Sequence, residues 1–196
     1  MPFSDPRYYQ VLVLGLLLAY GIVGLDFGIH WQNAVAIIAT AQLTQFVGTR
    51  FAGLPRFDPM SALITSLSLT LLLRTDVVLL AAMAAVVAVG SKFVIRVRGK
   101  HVFNPANVAL VSMMLASDGV WISSGQWGSA AIGALALACL GFLVLTPSKL
   151  SETTIAFLAA YGALVFGRAL WLDDPFSITL NQFQNGALLI YALFII

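Results

Sequence analysis

Apolar residues in this chain come in long runs, parted by short polar or Pro/Gly breaks. A run of roughly 20 apolar residues is the length a helix needs to cross the hydrocarbon core of a bilayer. Taken in order, the runs predict segments near 8–25, 31–49, 59–73, 77–95, 105–117, 127–146, 153–170 and 183–196. In lipid a backbone must satisfy its own polar groups, and the alternation of a barrel strand is not seen, so the spanning unit is the helix. The pattern therefore predicts an all-α, polytopic transmembrane helix bundle of about eight segments. Two segments are short. The 105–117 run reads as a half-helix or a deeply tilted one, and the last stretch, Gly186–Ile196, stays apolar to the final residue. It ends before a crossing is complete, so the expectation is a chain that continues further. With no tandem repeat and no low-complexity linker, residues 1–196 read as a single transmembrane domain.

Composition strengthens this picture. The chain is 60% hydrophobic and 9% charged, with a mean hydropathy of +0.96. A soluble domain carries about 25% charged residues and has no means of hiding so much apolar surface. Charge then supplies an orientation. With the N-terminus in the cytoplasm, Arg7, Arg50, Arg56, Lys92, Arg96, Arg98, Lys100 and Lys149 fall inside, against Arg74 and Arg168 outside. Asp26, Asp76, Asp118, Asp173 and Asp174 join the outer side. That sorting follows the positive-inside rule. The net charge of +2 is thus a topology signal and points to no nucleic acid. The lone Cys139 rules out a disulfide within the chain, and the N-terminus lacks the form of a signal peptide.

Chemistry concentrates in a few places. Asp58 before Pro59 has the form of a helix N-cap and first-turn residue. Beyond it Ser61, Thr65 and Ser68 share one face, with Thr40, Gln42, Thr44 and Gln45 on the preceding helix. Two readings fit: hydroxyls that knit helices together in lipid, or the polar lining of a cofactor or ion cavity. A second cap, Asn104 before Pro105, follows five basic residues: Lys92, Arg96, Arg98, Lys100 and His101. A helix N-terminus there is an anion site, and the cations equally suit a cytoplasmic anchor on anionic lipid. The outer loop from Ser117 to Gly128, with Trp121 and Trp127, reads as an interfacial turn. Only His30 and His101 occur, no Cys/His cluster is present, and no hydrolase, nucleotide or dinucleotide motif appears.

The run Ser61-Ala62-Leu63-Ile64-Thr65-Ser66-Leu67, with Gly99-Lys100-His101-Val102-Phe103-Asn104-Pro105-Ala106-Asn107 further on, resembles the membrane subunits NqrB and RnfD. These belong to the sodium-pumping NADH:quinone oxidoreductase and the Rnf ferredoxin:NAD oxidoreductase. The GKHxFNPAN stretch is the specific part, and the likeness extends over most of the chain. The resemblance implies a multi-pass subunit of a bacterial-type inner membrane complex that passes electrons and couples them to ion movement. For such a subunit the expected cofactor contacts, near the FNPAN turn and the cations and hydroxyls around it, are Ser61, Thr65, Lys92, Lys100, His101, Phe103, Asn104 and Asn107. In that family a Ser-Gly-Ala-Thr motif attaches FMN through its Thr. Here the matching place reads Ser124-Gly125-Gln126-Trp127, which offers no hydroxyl at that position. Covalent FMN is therefore not expected, and a non-covalent flavin (FMN or riboflavin) or a quinone takes its place. Other membrane subunits are the expected partners. The alternative is a structural subunit of a photosynthetic or respiratory complex, gripping it through small residues such as Gly133, Ala134, Ala138 and Gly141. A channel or transporter ranks last, because nearly all charges sit at the ends of runs, Lys92 coming nearest to an interior.

Overall fold

The computed structural model describes residues 5–122, 151–184 and 188. The protein is mostly helical and all-α in character. The described helices are α1 (Pro6–Val23), α2 (Trp31–Phe51), α3 (Pro59–Leu72), α4 (Val78–Val94), α5 (Pro105–Ala116), α6 (Ser151–Leu172) and α7 (Phe176–Gln184). Four two-residue strands sit between them: β1 (Leu73–Arg74), β2 (Arg96–Val97), β3 (Lys100–His101) and β4 (Trp121–Ile122). The expected 127–146 segment, Cys139, the Ser124–Trp127 stretch and the Gly133–Gly141 face lie outside the described residues. So does nearly all of 183–196.

The chain divides into two compact units, Gln10–Ser123 and a second formed by Met1–Tyr9 with Ser124–Ile196. In the second unit α6 contains Thr154–Leu172, the one described helix long and apolar enough to cross a membrane. Its 19 residues span about 28 Å at roughly 1.5 Å per residue, close to the hydrocarbon thickness. Shorter apolar helices cover Arg7–Val23, Pro59–Leu72, Val78–Val94 and Pro105–Ala116. The short segment expected at 105–117 is thus found as the short α5.

In the first unit α4 packs against α2 and α5, and α3 packs against all three. Small side chains make this possible. Ala81, Ala84, Ala85, Ala88, Val89 and Lys92 recur at three- and four-residue intervals and form the buried face of α4. A surface of alanines lets helix backbones approach closely. Gly48 of α2 extends the same logic, since a Cβ there would run into the Phe93 ring. At α3 the chain is buried without a break from Thr65 to Thr75, which makes it the centre of the unit.

At 14 residues α3 is shorter than α2 (21) and α4 (17), and its buried exit needs another arrangement. Here β1 pairs antiparallel with β4, placing Leu73 opposite Ile122 and Arg74 opposite Trp121. That bridge and the Arg74 side chain, which donates to Thr70 O and Leu73 O, take up backbone groups freed where α3 ends, as buried irregular backbone requires. At the other end β2 and β3 form a hairpin with Arg96 opposite His101. Its turn residues, Arg98 and Gly99, both hold positive φ (53° and 80°), as a tight hairpin turn demands.

The interior of this unit sets polar groups among its buried apolar side chains, and its surface carries many large apolar ones. Asn33, Gln45, Thr49, Thr65, Ser66, Ser68, Thr70, Arg74, Thr75 and Lys92 are buried. Val35, Leu43, Phe46, Leu79, Met83, Val86 and Val111 are exposed.

Candidate functional site

The site grows from two capped helix starts. Asp58 opens α3 by accepting the Ser61 amide at 3.2 Å, with Pro59 in the first turn. Asn104 opens α5 in the same way, its Oδ1 accepting from Ala106 N at 2.9 Å and Asn107 N at 3.3 Å. Both caps are where the sequence pattern places them. Between them runs α4, whose last turn carries Lys92.

Lys92 is 8% exposed, an extreme burial for a lysine. Its ammonium donates to the Ser61 carbonyl at 2.9 Å and to Ser61 Oγ at 3.0 Å. Thr65 Oγ1 donates to the same carbonyl at 2.9 Å. Ser61, Thr65 and Lys92 are therefore one hydrogen-bonded cluster across two helices. An ammonium has three N–H donors, so one remains beyond the two given to Ser61. No carboxylate lies within ion-pair distance of Lys92 among the described residues.

Two amide oxygens add to this cluster's end of the unit. Gln45 Oε1 and Asn107 Oδ1 are both buried and have no hydrogen-bond partner among the described residues. Buried polar atoms in native proteins are nearly always satisfied, so an orphan asks for an explanation, a ligand among them. Gln45 lies three residues before Gly48, which meets Phe93 next to Lys92, and Asn107 lies in the first turn of α5.

The remaining residues expected at the site stand further out. Lys100 and His101 form β3, packed against α4, and both are exposed, as is Phe103. Crowding still reaches His101: partial burial first, then the positive charges of Lys92 and Arg96, push its imidazole pKa below the ordinary value. Arg96 meanwhile bonds back to the Gly99 carbonyl across the hairpin turn.

The hydroxyl face of α3 behaves in a particular way. Thr65 donates to Ser61 O, Ser66 to Leu63 O and Thr70 to Ser66 O, and on α2 Thr44 and Thr49 donate to Thr40 O and Gln45 O. Each hydroxyl thus answers to its own helix. The bonds between elements come from larger groups: Asn33 to Thr75 O at 2.6 Å, Gln42 to Pro59 O at 3.1 Å, Lys92 to Ser61 and Arg74 to Phe27 O at 3.2 Å. Sequence reasoning took Arg74 as an outer-loop cation and assigned Asn33 no part. The available signal was an arginine placed directly against the end of an apolar run, where solvation is scarce.

What fold and site define together is a class: a mostly helical, strongly apolar chain with a buried lysine cluster at one end of its first unit. Comparison with known proteins takes the matter no further, as no protein-family model, curated protein or solved structure matches this chain.

Proposed function

We propose that this protein is a multi-pass subunit of an electron-transfer complex in a bacterial-type inner membrane, resembling NqrB and RnfD and coupled to ion translocation. It holds a flavin or quinone without a covalent bond, and other membrane subunits are its partners. The large apolar surface, with residues such as Val35, Leu43, Leu79, Val86 and Val111 exposed, is the observation that carries the membrane reading. Large exposed apolar surface is unfavourable in water and favourable against lipid tails.

Charge placement supports the orientation. Within the first unit Arg50, Arg56, Lys92, Arg96, Arg98 and Lys100 gather at the end where α3 begins, and Arg74 stands by itself at the opposite end. The first group faces the cytoplasm under the positive-inside rule.

The site's chemistry suits the proposed ligands. A flavin ring has carbonyl oxygens that take the remaining Lys92 donor and an N–H that meets an orphan amide oxygen on Gln45 or Asn107. A quinone offers the carbonyl, and its reduced form offers the hydroxyl. The positive end of α5 and the Lys100 cation before it favour a ligand bearing negative charge. Bound there, the group would supply one- and two-electron chemistry that no side chain of this protein provides. The protein's part is to position it and to hold a positive charge beside it.

The test is direct. The chain is purified from membranes in detergent, and its extract is analysed for flavin and quinone by chromatography with mass detection. About one cofactor per chain is the expected result. A folded, membrane-extracted chain carrying neither would overturn the redox assignment and leave a structural subunit in its place.

A further inference from the structure

At the end of α3 away from Lys92 the structure has a second polar site, built around Arg74. This guanidinium is 6% exposed. Three of its donor positions are engaged: Nε to Phe27 O at 3.2 Å, and Nη1 to Thr70 O at 3.0 Å and Leu73 O at 2.9 Å. Those bonds close the end of α3 and pin the loop before α2. An arginine has five N–H donors, and the two that remain are both on Nη2. Nη2 is buried and has no partner among the described residues. No carboxylate lies within ion-pair distance of Arg74 among those residues either.

Arg74 lines a recess of about 30 Å³ together with Gly28, His30, Asn33, Thr75 and Trp121. That is room for roughly two water-sized groups. Its polarity is one-sided. Asn33 spends its amide N–H on the Thr75 carbonyl, which fixes the wall of the recess. Thr75 Oγ1 accepts from Val77 N at 3.2 Å, which leaves its hydroxyl hydrogen to donate. His30 is the N-cap of α2 and makes no side-chain cap bond, so the positive end of a 21-residue helix opens on the same space. The one acid on the rim, Asp76, turns outward with a side chain 80% exposed, 3.8 Å from His30 Nε2.

We propose that this recess binds the oxyanion head of a ligand, a carboxylate or phosphate whose oxygens are received by Arg74 Nη2. The two N–H bonds left on Nη2 diverge, so Nη2 gives an anion oxygen one charge-assisted hydrogen bond and keeps the other N–H for a second oxygen or a water. Desolvation makes the pairing strong, because water competes poorly for a buried guanidinium. The head comes from one of two sources, a free small anion or a phospholipid at the membrane boundary.

The experiment uses the full chain in non-ionic detergent, stripped of phospholipid, with ionic strength held constant by sodium chloride. Sodium phosphate and sodium acetate are titrated in one arm and phosphatidylglycerol in mixed micelles in the other, with the thermal midpoint as readout. A saturable rise of about 2–6 °C in one arm is expected and identifies the source. Ala34 lines the recess from α2, so Ala34→Met fills it while leaving Arg74 in place, and Arg74→Lys keeps the charge but loses the Nη2 donors; both should abolish the rise. The proposal falls if neither arm exceeds the chloride control in the native chain, or if both variants respond as it does. Cofactor content is read separately, so this result stands or falls apart from the redox reading.

Discussion

Replacing Lys92 by Met separates a binding lysine from a structural one. The ammonium is nearly completely buried and makes two hydrogen bonds, both to Ser61. Hydrogen bonds to a charged group contribute about 1.5–3 kcal/mol each, so the pair stabilises the fold by about 3–6 kcal/mol. Against this stands the desolvation of an ammonium that makes no contact ion pair among the described residues, which costs several kcal/mol. The substitution also orphans little. The Ser61 carbonyl keeps its bond from Thr65 Oγ1 at 2.9 Å, and the methionine fills the same slot with apolar atoms. The opposing terms cancel to within about 2 kcal/mol, a midpoint shift of no more than about 4–8 °C for a chain of this size. Under the proposed function binding behaves differently, because the third N–H of Lys92 would be offered to the ligand. Losing one charge-assisted bond there weakens flavin or quinone about ten- to hundredfold. Thermal unfolding in detergent and cofactor content per chain, measured on the same preparation, check both halves. A midpoint lowered by more than about 10 °C, or an unchanged cofactor content, would refute the reasoning.

Three further predictions rest on other parts of the first unit. His101 has a pKa below its ordinary 6.5, so its neutral form is favoured in the fold. Its contribution is complete above that value and is lost as pH falls through the lower folded value; unfolding midpoints should drop on acidification below 6.5, and His101→Gln should flatten that part of the profile. Gly48→Ala drives a methyl into the Phe93 ring and should destabilise by about 1–3 kcal/mol, with Phe93→Leu restoring most of the loss; additive losses in the double variant would contradict the contact. Asn104→Ala removes the cap of α5 and should cost about 1 kcal/mol, read by thermal unfolding, while Asn104→Asp should retain most of it.

Helices and their starts were legible along the chain. Apolar runs located α2 to α5 within a few residues, because a helix in an apolar setting is written as continuous hydrophobicity. Asp58-Pro59 and Asn104-Pro105 marked the openings of α3 and α5, since an Asx side chain followed by proline satisfies the first free amides whatever the helix later packs against. The exit of α3 was less visible. A run expected to continue to residue 73 ends as helix at Leu72 and turns extended, a choice made by pairing with Trp121–Ile122 nearly fifty residues away. Nothing local encodes such a bridge.

The same division holds for the sites. Sequence alone determined the capped helix start at Asn104-Pro105 and that Lys92 lies closest to an apolar interior, because composition and spacing are properties of the chain itself. Only the tertiary structure decided that Lys92 reaches back to Ser61, that Gln45 and Asn107 hold unsatisfied oxygens, and that Arg74 keeps two donors in reserve. Satisfaction of a polar group depends on what lies within about 3 Å of it in space. Close packing along the alanine face of α4 sets those neighbours, and they are distant in the chain.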